Sequence, residues 1–119
     1  MNTEQKLAVE HEGGPLLVIA GPGTGKTTTL VGRYQYLLSK GVKENQILCC
    51  TFSRKAADEL KSRITAQSQA DEKGMFIGTF HSLALRILKS LGTNIGLKND
   101  FSIWTNYRAR IAVIQEVQA

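Results

Sequence analysis

Residues 16–28 read Leu16-Leu17-Val18-Ile19-Ala20-Gly21-Pro22-Gly23-Thr24-Gly25-Lys26-Thr27-Thr28, an unbroken apolar run that gives way to a glycine-rich turn. A run without polar alternation suits a parallel strand covered on both faces. The glycines let the backbone turn several N–H groups toward one point, where an anion can sit. Ala20, four intervening residues and then Gly25-Lys26-Thr27 fit the pattern of a phosphate-binding loop, with alanine in place of the first glycine. A turn that binds nothing has no use for three spaced glycines or for a lysine at a helix start, where positive charge opposes the macrodipole. Lys26 makes physical sense there when a bound anion neutralises it.

With a nucleoside triphosphate in that loop, the amides of Gly23 to Thr27 cradle the phosphates, Lys26 reaches the terminal ones and the Thr27 hydroxyl takes one Mg²⁺ position. Efficient hydrolysis also needs carboxylates at a strand end to hold the metal and orient water. No such pair follows a predicted strand: Asp58-Glu59 falls inside a predicted helix and Asp71-Glu72 in a polar loop. The expectation is binding without efficient turnover by this chain.

At 119 residues and 42% hydrophobic content, the chain has room for one core. Its net charge of +5 favours anionic partners, although the basic residues are spread along the chain and not gathered in a tail. Cys49 and Cys50 are adjacent in an apolar stretch, which suits reduced, buried thiols and offers no metal-ligand spacing. A redox pair is the sharper alternative, but neighbouring cysteines bridge only with strain. Neither a signal peptide nor an apolar run near the ~20 residues of a membrane span is found. A cytoplasmic protein with no membrane contact and no metal cluster is expected.

Taken in order, residues 2–11 predict a helix with Asn2 as N-cap and Gln5 closing a capping box. A first strand is predicted at Leu16–Ala20, a helix at 25–40 ending near Gly41, and a second strand at Ile47–Thr51, together a βαβ unit. A helix follows from Ser53 to Gln67, with Ala56, Ala57, Leu60 and Ile64 on one side and Asp58–Lys61 and Glu59–Arg63 able to pair on the other. Residues 67–74 read as a polar connection, 75–79 as a third strand, and Leu83 to Leu91 as an amphipathic helix stopping near Gly92. Phe101 to Trp104 suits a short strand or extended segment, and 108–117 a last helix. That helix reaches Ala119 without a stop signal, so the chain is expected to be cut from something longer.

The segments MNTEQKLAV (1–9), AGPGTGKTTTL (20–30), ILCCTFSRKAADELKSRI (47–64) and GTFHSLALRIL (78–88) occur in this order. Together they resemble the Q motif and motifs I, Ia and Ib of UvrD/Rep-type superfamily 1 DNA helicases, and FSIWTNYRARIAVIQEV (101–117) resembles the segment after motif Ib. The resemblance implies an α/β, parallel-sheet P-loop NTPase fold of the RecA-like kind, incomplete at its C-terminal end. Residues 1–119 would be the N-terminal portion of the ATP-binding motor domain, with 101–119 leading toward the next subdomain. The implied activity is an ATP-dependent, 3′-to-5′ single-stranded-DNA translocase or helicase using ATP and Mg²⁺, with repair or replication proteins as further partners. Two alternatives stay open: a non-hydrolysing nucleotide- or DNA-binding module, and the motor part of a helicase–nuclease.

Carried over residue by residue, Gln5 matches the glutamine that recognises adenine, since an amide donates and accepts at once. Helix capping is its other reading, and both can hold. Ala20, Gly21, Pro22, Gly23, Thr24, Gly25, Lys26, Thr27 and Thr28 form the nucleotide loop, with Lys26 and Thr27 as its catalytic pair and Thr27 as the Mg²⁺ ligand. Thr28 stands where many relatives place an arginine that packs on the adenine face, so base selectivity is expected to be weaker. Thr51, Phe52, Ser53 and Arg54 match a loop that grips single-stranded DNA, where Phe52 stacks on a base or, in the competing reading, sits in the core. Arg54 replaces a common asparagine and adds charge. Thr79, Phe80 and His81 match a second DNA-contacting turn, a capping or core histidine being the alternative for His81, while His11 has no motif around it and is expected to face solvent.

Overall fold

The computed structural model describes residues 1–68, 73–103 and 106–118. Two compact units are present, Met1–Leu83 and Ala84–Ala119. The first holds α1 (Thr3–Glu10), α2 (Lys26–Ser39), β1 (Leu48–Thr51), α3 (Arg54–Gln67) and β2 (Phe76–Thr79). Helix α4 (Phe80–Leu91) runs across the division, and α5 (Asn106–Gln118) lies in the second unit.

Local chemistry accounts for most helix ends. The Asn2 side chain accepts from the Gln5 N–H at 2.8 Å, and Gln5 Oε1 accepts from the Asn2 N–H at 2.9 Å, the reciprocal box expected from the sequence. Helix α2 stops ahead of Gly41, whose φ of 88° resists a side chain, with the N–H of Val42 returning to the Leu37 carbonyl at 3.1 Å. Ser53 caps α3 by accepting from the Ala56 N–H at 3.2 Å.

Strands β1 and β2 are parallel neighbours, in register from Leu48 opposite Phe76 to Thr51 opposite Thr79. Helix α3 is the crossover between them, so the βαβ unit lies one step later in the chain than predicted. Residues 16–20 form no strand and pair with neither β1 nor β2. Leu17 is 84% exposed and Ile19 90%. An apolar run specifies a preference for burial, but a strand is completed only by the N–H and C=O groups of a neighbour, and no described strand lies alongside this one.

The core of the first unit joins Val31 and Tyr34 of α2 to Leu60 and Ile64 of α3 and to Met75 just before β2. The predicted face of α3 is therefore buried at Ala57, Leu60 and Ile64 while Ala56 is exposed, and α2 buries Val31 and Tyr34 but leaves Leu30 exposed. Glu59 and Arg63 pair at 3.2 Å on the outer side of α3. Cys49 packs against the core and its burial pushes the thiol pKa upward, while both cysteines are free thiols.

In the second unit, Ile87, Leu88 and Leu91 of α4 are exposed, and the helix passes into a 3₁₀ turn at Gly92–Ile95. Residues 101–103 form no strand, and Trp104 lies outside the described residues, as do 69–72 of the predicted polar connection.

Tyr34 is almost wholly buried, yet its hydroxyl meets no hydrogen-bond partner among the described residues, and desolvation raises its pKa above the ordinary value. Replacing it by phenylalanine removes an unpaired polar group at nearly constant volume. Tyr34→Phe is expected to be neutral or stabilising by up to ~1 kcal/mol, whereas Ile64→Ala should cost about 2–5 kcal/mol. Chemical denaturation of both variants checks the contrast.

Candidate functional site

The glycine-rich loop is shaped by two left-handed residues, Gly23 at φ 72° and Gly25 at φ 80°, with Gly25 the N-cap of α2. Thr24 Oγ1 donates back to the Gly21 carbonyl at 2.6 Å and tightens the turn. Gly25 has no side chain to cap the helix, so the first N–H groups of α2 keep their hydrogen-bonding capacity. Lys26 is exposed at the first helical position, and Thr27 follows it half-buried. Free amides, the positive end of the helix dipole and an ammonium group thus meet at one place, an arrangement suited to phosphate oxygens.

Beside the loop lies a cleft of about 520 Å³, lined among others by Gln5, Ala8, Ala20, Gly21, Thr24 and Lys26. Pro22, Gly23 and Thr28 are exposed on the loop and do not line it. Gln5 is half-buried there, and its Nε2 donates to the Thr24 carbonyl at 2.7 Å. Its capping role is thus present, and its amide is committed to the loop as well.

Helix α1 is held against α2 by residues that the motif-based reading passed over. A Cβ on Gly32 would lie 3.1 Å from Val9 Cγ2, so glycine in mid-helix permits the close approach. That unfavourable glycine was the available signal. Arg33 Nη1 donates to the carbonyls of Val9, at 2.8 Å, and His11 at the C-terminal end of α1. His11 is consequently half-buried, not simply solvent-facing. The Tyr36 hydroxyl donates to Glu12 at 2.8 Å, and this bond holds the phenol pKa above its ordinary value although Lys40 pulls the other way. A raised phenol pKa means that the bond contributes fully below about pH 10 and is lost as pH climbs through the folded value.

The DNA-contact candidates lie where β1 and β2 end side by side. Thr51 Oγ1 donates to the Ser53 carbonyl at 2.8 Å, and Thr79 Oγ1 accepts from the Ser82 N–H at 3.2 Å, so both threonines shape the turns into the following helices. Gly78 lets Ser82 close in, since a Cβ there would lie 2.6 Å from Ser82 Oγ. Phe52 is 95% exposed, which excludes the core reading. Phe80 is 59% exposed, and Arg54 and His81 are exposed on the first turns of α3 and α4. The paired Thr51 and Thr79 are thus each followed by an exposed aromatic residue at the C-terminal end of the two-stranded sheet.

Another concavity, of about 560 Å³, lies at the other end of α2 and is lined by Gln35, Leu38, Val42 and Lys43 among others. It has no glycine-rich loop, and the one helix start in its lining is that of the short 3₁₀ turn Glu44–Gln46. Among the described residues no cluster of His, Cys, Asp and Glu suits a metal, and no helix is long and apolar enough to cross a membrane.

Arg33→Met keeps the aliphatic stem and removes both bonds to α1. Its expected cost is about 1.5–3 kcal/mol, and amide exchange should quicken in α1 while α3 stays protected.

Comparison with known proteins places the sequence among DNA helicases. The chain is 43% identical over 106 residues to the ATP-dependent DNA helicase UvrD1 of Mycobacterium tuberculosis, and 45% over 108 residues to that of Mycobacterium leprae. It is 42% identical over 104 residues to the ATP-dependent DNA helicase PcrA of Staphylococcus aureus. Each match covers 87% of this chain but 14% of the relative, so the chain spans about one seventh of those proteins. The family described as UvrD/REP helicase N-terminal domain matches residues 1–119, and the chain belongs to it.

Proposed function

We propose that this chain is the ATP- and single-stranded-DNA-engaging part of a RecA-like helicase motor that moves 3′ to 5′. The observation that carries the reading is the uncapped start of α2, where Gly25 leaves the first helical amides available beside Lys26 and Thr27. Phosphates fit this loop because the amides at the start of α2 are donors, Lys26 is a cation and the two left-handed glycines leave room for close approach. Mg²⁺ held with the Thr27 hydroxyl would neutralise charge on the terminal phosphates. Lys26 balances the same charge from the protein side. Gln5 retains one N–H and one lone pair for an adenine edge after its bonds to Thr24 and Asn2. Thr28 offers that base no stacking surface, in keeping with weak discrimination between ATP and GTP.

For the DNA track, Phe52 and Phe80 supply stacking faces, Arg54 and His81 supply donors, and Thr51, Ser53 and Thr79 hold the turns in shape. The Ser53 hydroxyl accepts from Ala56 and keeps its own proton to offer a phosphate oxygen. β1 and β2 each end in a threonine followed by phenylalanine and not by a carboxylate, which favours binding by this chain without efficient hydrolysis. A motor joined to a nuclease shares these features over residues 1–119. Assembly with repair or replication proteins belongs to the same proposal.

Lys26→Ala should weaken Mg²⁺–ATP binding by at least about tenfold, given the ~1.5–3 kcal/mol of a charged hydrogen bond, measured by calorimetry. Unchanged affinity would contradict the loop assignment. Phe52→Ala should weaken oligothymidylate binding by about 1–3 kcal/mol without changing its salt slope, because stacking is lost and phosphate contacts remain. DNA-stimulated ATP turnover by this chain alone would contradict the absence of a hydrolytic carboxylate.

A further inference from the structure

The Gln5 side chain does more than its capping role requires. Its Oε1 is fixed by the Asn2 N–H at 2.9 Å, and its Nε2 crosses to the Thr24 carbonyl at 2.7 Å, nineteen residues away in sequence. The same amide lies against the next residue of the loop, since a Cβ on Gly25 would come within 2.6 Å of Nε2. Gly25 is favoured as glycine by its φ of 80°, and a Cβ there would also push the Gln5 amide aside.

We propose that Gln5 is a positioning residue for phosphate binding itself: a latch that fixes the Thr24–Gly25 peptide, whatever base the nucleotide carries. The proposal rests on the nucleotide reading above. Its stereochemistry follows from the planar trans peptide, in which C=O and N–H point in opposite directions. Holding the Thr24 carbonyl on the α1 side turns the Gly25 N–H to the opposite side of the chain. Without the latch, a peptide that runs into the permissive Gly25 is freer to rotate, and a cradle that depends on aligned amides loses order. The latch has a rigid base, because α1 is clamped to α2 by the Val9 and Gly32 approach and by the Arg33 bonds. Loop and latch are therefore carried by the same pair of helices.

A base-free probe separates this role from adenine recognition. Binding of Mg²⁺–tripolyphosphate and Mg²⁺–ATP is measured for wild type, Gln5→Met and Asn2→Ala, with amide exchange over residues 23–26 in each ligand-free protein. Asn2→Ala removes the side-chain cap of α1 but leaves the Gln5 amide on Thr24. Gln5→Met is expected to lose about tenfold in tripolyphosphate affinity, the scale of one hydrogen bond to an ordered loop, and to exchange faster at residues 23–26. Asn2→Ala should bind tripolyphosphate like wild type. Loss of ATP affinity alone in Gln5→Met would overturn the latch and leave Gln5 as a base reader, and an equal loss in Asn2→Ala would reduce the effect to helix capping. If wild type binds neither ligand, the nucleotide reading fails, and the exchange comparison still decides the latch: unchanged exchange in Gln5→Met rejects it.

Discussion

The packing of α2 is the constraint on which the rest of the first unit depends. One face buries Val31 and Tyr34 against Leu60 and Ile64 of α3, and another admits α1 through Gly32. Because α2 begins at Lys26, these contacts also fix where the loop amides and the ammonium group emerge. Burying a side chain such as Ile64 contributes roughly 1.5–3 kcal/mol, and that hydrophobic anchor holds in place a loop that otherwise has little to stabilise it. The loop itself can then remain polar, exposed and rich in unused donors.

The α1 clamp extends this logic from stability to chemistry. Carbonyls at the end of a helix lack partners within the helix, and Arg33 satisfies two of them from the neighbouring one. The bond between Tyr36 and Glu12 adds a polar tie, and the exposed ion pair between Lys40 and Glu12 at 3.9 Å adds little. Held this way, the first turn of α1 brings Gln5 onto the glycine-rich loop.

Features set by local chemistry were legible in the sequence. The Asn2–Gln5 box, the Ser53 cap, the Gly41 stop and the buried faces of α2 and α3 each depend on residues close in the chain. Features that depend on a distant partner were not. Leu16–Ala20 has the composition of a covered strand, but pairing requires a neighbour that composition cannot specify. Phe52 kept a core reading open in the sequence, and the Thr51–Ser53 turn directs it outward. Arg33 has no motif, and only the costly glycine beside it hinted at a close helix contact. The four motif segments in order were enough to recognise the family, while the bonds joining Gln5 to Thr24 and Arg33 to α1 required the folded chain.

The central claim is that one small unit carries a phosphate cradle at the start of α2 and a separate aromatic DNA track at the ends of β1 and β2. Amide chemical-shift mapping by NMR, with Mg²⁺–ATP added first and an oligothymidylate second, tests it most directly. The account predicts that ATP shifts Gln5 and Gly23 to Thr27, and that the oligonucleotide shifts Phe52 to Arg54 and Phe80 to Ser82. Perturbations centred instead on the Gln35–Lys43 concavity, or both ligands moving the same residues, would contradict it.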